Sequence, residues 1–168
     1  KTPTICIKDA RLAPKLSSFR HHAIGSDVDV LVSPKKVRRL VEYYRLQGYA
    51  VKKYEPKEFN VTNPVTHVTV DLHTMIAFPH FGDLNNWDHA AIDQFSKLCL
   101  KSKRPYLSRE RLLIAQIIRF WSNDMCRGLR QIQDVFELSS KYESSLSWRY
   151  ITKELQRLQY YSRYQALL

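Results

Sequence analysis

The chain is short of cysteine and glycine and has no long apolar run, and each shortage closes off a class of protein. Its three cysteines, Cys6, Cys99 and Cys126, are odd in number and widely spaced. No pair has zinc-site spacing, and an odd, scattered set argues against a disulfide framework. Cys6 and Cys99 lie in apolar surroundings and read as small core residues. Thiols used this way point to an intracellular, cytoplasmic location. No stretch approaches the roughly 18 apolar residues of a membrane span, and no secretory signal is present. The first residue is Lys1 rather than Met, which reads as a trimmed start. Four Gly, seven Pro and 44% hydrophobic content describe a globular chain without repeats or low-complexity tracts. At 168 residues it suits one domain or two small lobes.

Basic residues are missing from one region only. Residues 61–96 contain no Lys or Arg and 4 acids, whereas residues 1–60 carry 13 Lys/Arg against 6 acids. Residues 97–168 carry 14 against 6, and the whole chain is +11. Two basic segments thus flank an acidic one. That distribution suits a metal-dependent enzyme acting on a polyanion such as RNA. A plain solvated basic surface gives the same totals.

The residues that are present begin with Gly25-Ser26-Asp27-Val28-Asp29-Val30-Leu31-Val32. Read as a strand, Asp27 and Asp29 project to one face and Val28 and Val30 to the core. Adjacent carboxylates on a rigid strand repel unless a cation lies between them, and Mg²⁺ prefers such oxygen ligands. A second β pattern runs over 65–73, with Val68, Val70 and Leu72 on one face and His67, Thr69, Asp71 and His73 on the other. Asp71 is a lone acid on that polar face. If the two strands are neighbours, three carboxylates converge, enough to hold two divalent ions for phosphoryl or nucleotidyl transfer.

Around these strands the pattern predicts a short strand over 4–8, a short helix over 10–18 and a loop over 19–26. Ser33-Pro34 starts a helix that Gly48 stops. A strand follows over 49–54, and 55–64 reads as a connection. After an irregular stretch, a helix covers 87–98, and the basic segment 101–105 marks a lobe boundary. From Ser108 onward the chain reads as helical. Leu112, Leu113, Ile117 and Phe120, widened by Ile114, Ile118 and Trp121, make one apolar stripe. Leu129, Ile132, Val135, Phe136 and Leu138 make the next, and a third helix spans 147–160. These read as a small bundle.

Other polar groups carry less. His21, His22, His67, His73, His80 and His89 include no i, i+4 zinc-helix pair. His73 shares the Asp71 face and suits a bond to a carboxylate or substrate. Lys35, Lys36, Arg38 and Arg39 form a basic cluster that reads first as a solvated helix face. Tyr160, Tyr161 and Tyr164 suit core packing better than base stacking. Asp134 suits either a helix–helix contact or substrate binding.

Ser26-Asp27-Val28-Asp29-Val30-Leu31-Val32 resembles the Asp-x-Asp strand of the polymerase-β-like nucleotidyltransferase superfamily. The closest resemblance is to its uncharacterised nucleotidyltransferase family, which pairs an Asp-hydrophobic-Asp-Leu-Leu-Val strand with a later Val-Asp-Leu-His strand. Here that second strand is Val70-Asp71-Leu72-His73. Ile5-Cys6-Ile7-Lys8, Gln47-Gly48-Tyr49, the helix opening at Leu107-Ser108-Arg109-Glu110 and Leu129-Arg130-Gln131-Ile132-Gln133-Asp134-Val135 also match. The resemblance covers roughly residues 4–165.

It implies an α/β (α+β) fold: a nucleotidyltransferase lobe with a mixed sheet over 1–100, then a C-terminal helical bundle over 106–168. It implies transfer of an NMP from an NTP such as ATP to a hydroxyl. Asp27, Asp29 and Asp71 become the catalytic and metal-binding acids, with two Mg²⁺ or Mn²⁺ ions. Lys8, Arg20 and Ser26 become the nucleotide contacts. The acceptor is RNA or tRNA, a protein or a small molecule, and the basic charge favours RNA. One departure stands out: Asp9 follows Lys8 where the superfamily places Gly. It motivates the alternative of a degenerate, non-catalytic module that binds nucleic acid or a partner protein. A toxin with an antitoxin-like partner is compatible with the enzymatic reading.

Overall fold

The structure, a computed structural model, describes residues 4–6, 27–55, 58–76, 86–102, 106–123 and 129–166. The helix expected over 10–18 and the loop over 19–26 lie outside the described residues. The fold is α+β, and its contacts divide the chain into two units. One comprises Lys1–Met75 and Ser96–Tyr106, the other Ile76–Phe95 and Leu107–Leu168.

The first unit is built on a five-stranded mixed sheet. Its strands are β1 (Thr4–Cys6), β2 (Asp27–Val32), β3 (Ala50–Glu55), β4 (Glu58–Thr62) and β5 (Thr69–His73), in the order β1-β2-β5-β4-β3. Only β2 and β5 run parallel. Helix α1 (Pro34–Leu46) provides the crossover a parallel neighbour needs. It opens at Ser33, whose carbonyl takes the first amide bonds, with Pro34 at the first helical position. It closes in a Schellman turn. Tyr49 N–H donates to the Tyr44 carbonyl at 3.0 Å and Gly48 N–H to the Arg45 carbonyl at 2.9 Å. Gly48 sits at φ +80, where a Cβ is costly.

The alternation along the strands sorts the sheet into two faces. Val37 and Val41 of α1 pack with Val32, Val61 and Leu72, and Val30, Phe59 and Val70 join them. Asp29, Asn60, Asp71 and His73 alternate with these residues and so belong to the opposite face.

The stretch 55–64, expected as a connection, instead holds β4. Phe59 and Val61 alternate with Glu58, Asn60 and Thr62, a short period-2 run whose signal is masked by Pro56 and Pro64 on its flanks. Strand β5 begins at Thr69 rather than at 65 because a turn occupies its expected start. The Asn63 side chain accepts amide hydrogen bonds from Val65 at 2.8 Å and Thr66 at 3.0 Å. His67 turns with φ 56, and the Asn63 amide meets the Val68 carbonyl at 2.9 Å.

The second unit is helical. Helix α2 (Asn86–Lys101) spans the division between units. Helix α3 (Arg109–Asn123) is the unit's apolar centre: Leu113, Ile114, Ala115, Ile117 and Ile118 are all fully buried. Ser108 caps it, its hydroxyl accepting the Arg111 amide at 3.3 Å. Glu110 in its first turn accepts the Ser147 amide at 3.4 Å, just ahead of α5. Helix α4 (Leu129–Lys141) buries Val135 and Leu138. Phe136, expected in the same stripe, is 57% exposed because it sits about 100° around the helix from Val135.

The helix expected over 147–160 stops early. Helix α5 (Trp148–Arg157) is followed by Gln159 at φ 60, a second Schellman turn without glycine. Tyr160 N–H bonds the Leu155 carbonyl at 2.8 Å. The break turns Tyr160 into the core, where its hydroxyl lies 2.9 Å from that of Ser122. Helix α6 (Tyr161–Gln165) ends the described chain with Tyr164 also buried. The tyrosines at 160 and 164 are therefore core residues. Among the described residues no helix is long and apolar enough to cross a membrane.

Candidate functional site

The β2–β5 register carries the site. Parallel pairing sets Asp29 opposite Asp71 and Asp27 opposite Thr69. The strands are parallel because α1 returns the chain, so acids 42 positions apart meet at one level of the sheet. Asp29 is 4% exposed and Asp71 8%. Two buried carboxylates side by side disfavour each other's charge, and a cation or a shared proton between them relieves the repulsion.

Strand β4 adds a second layer from the other side of β5. Its register sets Asn60 opposite Asp71, Glu58 opposite His73 and Thr62 opposite Thr69. The Asn60 amide donates to Asp71 Oδ1. Thr62 and Thr69 join through their hydroxyls at 3.0 Å. His73 Nε2 stands 2.9 Å from Asp29 Oδ1, and its Nδ1 stands 3.8 Å from Glu58 Oε2. One donor atom from each of Asp29, Asp71 and His73 lies within 4.8 Å of the others. Buried carboxylate oxygens with one imidazole are a donor set suited to a small divalent ion.

Of the expected site residues, Asp29 and Asp71 are brought together, with His73 beside them. The Asp27 backbone lies in β2, one same-face step before Asp29. Lys8, Arg20 and Ser26, the expected nucleotide contacts, lie outside the described residues, as do His21, His22 and His80. Lys35, Lys36, Arg38 and Arg39 are exposed on α1, which packs on the apolar face of the sheet. They stand across the sheet from the carboxylates and form a solvated helix face. Asn60 and Glu58 were not expected at the site. Their sequence signal is the polar half of the Glu58–Thr62 alternation, which becomes informative only once β4 is paired with β5.

A mixed sheet that pairs the Asp-x-Asp strand with a parallel, acid-bearing strand is the arrangement that the resemblance to nucleotidyltransferases implies. The chain belongs to the family described as uncharacterised nucleotidyltransferase, whose match covers residues 1–168. No curated protein and no solved structure matches the chain.

Proposed function

We propose that the protein transfers a nucleoside monophosphate from an NTP to an acceptor hydroxyl, with RNA as the favoured acceptor. The observation that carries this reading is the Asp29–Asp71 pair, buried at one level of two parallel strands in a chain of this family. The +11 net charge supports a polyanionic acceptor.

Asp27, Asp29 and Asp71 would hold divalent ions, Mg²⁺ or Mn²⁺. Bound there, such ions lower the pKa of an acceptor hydroxyl and offset charge on a triphosphate. The acceptor oxygen attacks the α-phosphorus and forms the new P–O bond. The bond from the α-phosphorus to the oxygen bridging the β-phosphate breaks, and pyrophosphate leaves. Asp71 takes the hydroxyl proton. Asn60, bonded to Asp71 Oδ1, holds that carboxylate in place. No covalent enzyme intermediate is involved.

The test is incubation of the protein with each α-labelled NTP, Mg²⁺ or Mn²⁺ and total RNA, beside the Asp29→Asn/Asp71→Asn variant. Label on RNA from the unmutated protein alone is the expected result. Label on protein would reassign the acceptor. No transfer to any fraction, with no NTP binding by calorimetry, would overturn the reading in favour of a non-catalytic binding module.

A further inference from the structure

Phe136 leaves the stripe of Val135 and Leu138, but it begins another. Phe136, Ser139, Ser140 and Glu143 follow the i, i+3, i+4, i+7 spacing of one helix face, the last of them in the turn just past α4. These four, with Trp148 at the start of α5 and Tyr164 of α6, line an open pocket of about 340 Å³ within the helical unit. Ligand pockets run from roughly 300 to 1,000 Å³ and combine aromatic or apolar walls with a few polar groups.

Three of the lining residues are aromatic, and they differ in what they offer. Tyr164 is buried. Trp148 is tied in place, its Nε1–H donating to the Glu143 carbonyl at 3.1 Å. That bond occupies the indole N–H and leaves the ring faces for contact. Phe136 is exposed. An exposed ring beside a pocket gives a flat ligand a surface to stack on.

The polar groups narrow the ligand. The Ser139 hydroxyl is donated to the Val135 carbonyl at 2.8 Å. Glu143 is the charged residue of the lining, and an ionised carboxylate only accepts hydrogen bonds. Its two oxygens suit a planar ring with two adjacent N–H donors. Among the RNA bases guanine alone has them, N1–H beside the N2 amino group, on an edge that single strands leave open. An organic cation also suits aromatics with an acid. The exposed Lys141 and Arg149, each next in sequence to a lining residue, oppose a cation and favour the phosphates of a strand.

We propose that this pocket seats a guanine base of single-stranded RNA, stacked on Phe136 and Trp148, with Glu143 accepting from its Watson–Crick edge. This rests on the reading of RNA as the acceptor and gives the helical unit a part in choosing it. Base binding there needs neither metal nor NTP, so it is measured apart from the transfer chemistry.

The experiment titrates the full chain, in chelator, with the labelled RNAs UUGUU, UUIUU and UUUUU, where I is inosine, and follows fluorescence anisotropy. UUGUU should bind most tightly, UUIUU less tightly because inosine lacks the N2 amino group, and UUUUU least. Phe136→Ala should weaken UUGUU roughly 5- to 150-fold, the span of base–aromatic stacking, with a smaller effect on UUUUU. Thermal unfolding checks that this surface substitution folds. Glu143→Gln should keep RNA binding and shrink the preference for guanine over inosine. Equal binding of the three strands, or a guanine preference that Phe136→Ala leaves intact, overturns the proposal without touching the transfer reading. GMP bound as tightly as UUGUU overturns the strand as the source in favour of a free nucleotide. Displacement of UUGUU by tetramethylammonium at equal concentration overturns the base in favour of a cation. A guanine preference lost in Phe136→Ala, in a protein that transfers no label, upholds the pocket and sinks the transfer reading alone.

Discussion

Each unit of the protein buries a polar cluster, and the two clusters behave differently. In the helical unit, Tyr160 and Ser122 meet hydroxyl to hydroxyl at 2.9 Å beside the fully buried residues of α3. A hydroxyl both donates and accepts, so either member of this neutral pair can serve the other. In the sheet unit, Asp29 and Asp71 are both acceptors when ionised and cannot satisfy each other. Their neighbours Asn60 and His73 engage one oxygen of each. The first cluster fastens a fold; the second holds an excess of acceptors, which a cation or a proton would relieve. Burial alone does not separate the two, whereas donor–acceptor balance does.

The sharpest way to break this contrast is Asp71→Asn. The amide supplies a donor where two acceptors met, so label transfer should fall by roughly 10³-fold or more while thermal stability holds or rises. A large loss of stability alongside the activity would make Asp71 a structural acid like its helical counterpart. Tyr160→Phe is the complementary change. It strands the Ser122 hydroxyl in an apolar setting and should cost about 1–2 kcal/mol by urea denaturation, with transfer activity unchanged. Adding Ser122→Ala should recover part of that loss, and strict additivity would show that the hydroxyls do not couple.

Smaller effects come from the helix ends of the two units. Gly48 and Gln159 occupy the same left-handed position of two Schellman turns, at φ 80 and φ 60. Gly48→Ala should destabilise by about 1 kcal/mol and Gln159→Gly should stabilise by up to about 1 kcal/mol, both measured by thermal unfolding.

The smallest expected effect is a pH dependence at Glu110. Burial pushes this carboxyl upward. Hydrogen bonds from its own amide, the Ser108 hydroxyl and the Ser147 amide, with the Arg109 charge, outweigh that and hold it below the ordinary 4.5. A carboxyl depressed in the folded state stabilises the fold above its unfolded value. That stabilisation is lost as pH falls from about 4.5 through the lower folded value. Glu110→Gln should flatten the stability profile in that acid range and leave it unchanged at neutral pH.

Much of the site could be read before the fold was known. Asp29 and Asp71 stand out because each is an acid inside an apolar, period-2 run, and that pattern is local. Asn60 and Glu58 were not legible because their meaning depends on β4 pairing with β5, and β4 hides between prolines. The first helix was readable from Ser33-Pro34 to Gly48 because both of its signals are chemical. The end of α5 was not, because Gln159 adopts a left-handed turn that its side chain does not advertise. Phe136 fits an apolar count but not the angular face defined by Val135 and Leu138. Periodicity recovers which residues alternate; it does not recover which strand lies next to which.

The tight turn at Asn63 has a consequence for when the site comes into being. Asn60, Asp71, Glu58 and His73 all belong to one hairpin, closed by Asn63 and paired over short sequence distances. Such hairpins form in microseconds. Asp29 arrives separately, through a parallel pairing that must wait for the crossover helix. Local pairing of β4 with β5 would thus set Asn60 beside Asp71 before the longer-range β2 pairing brings Asp29 level with it.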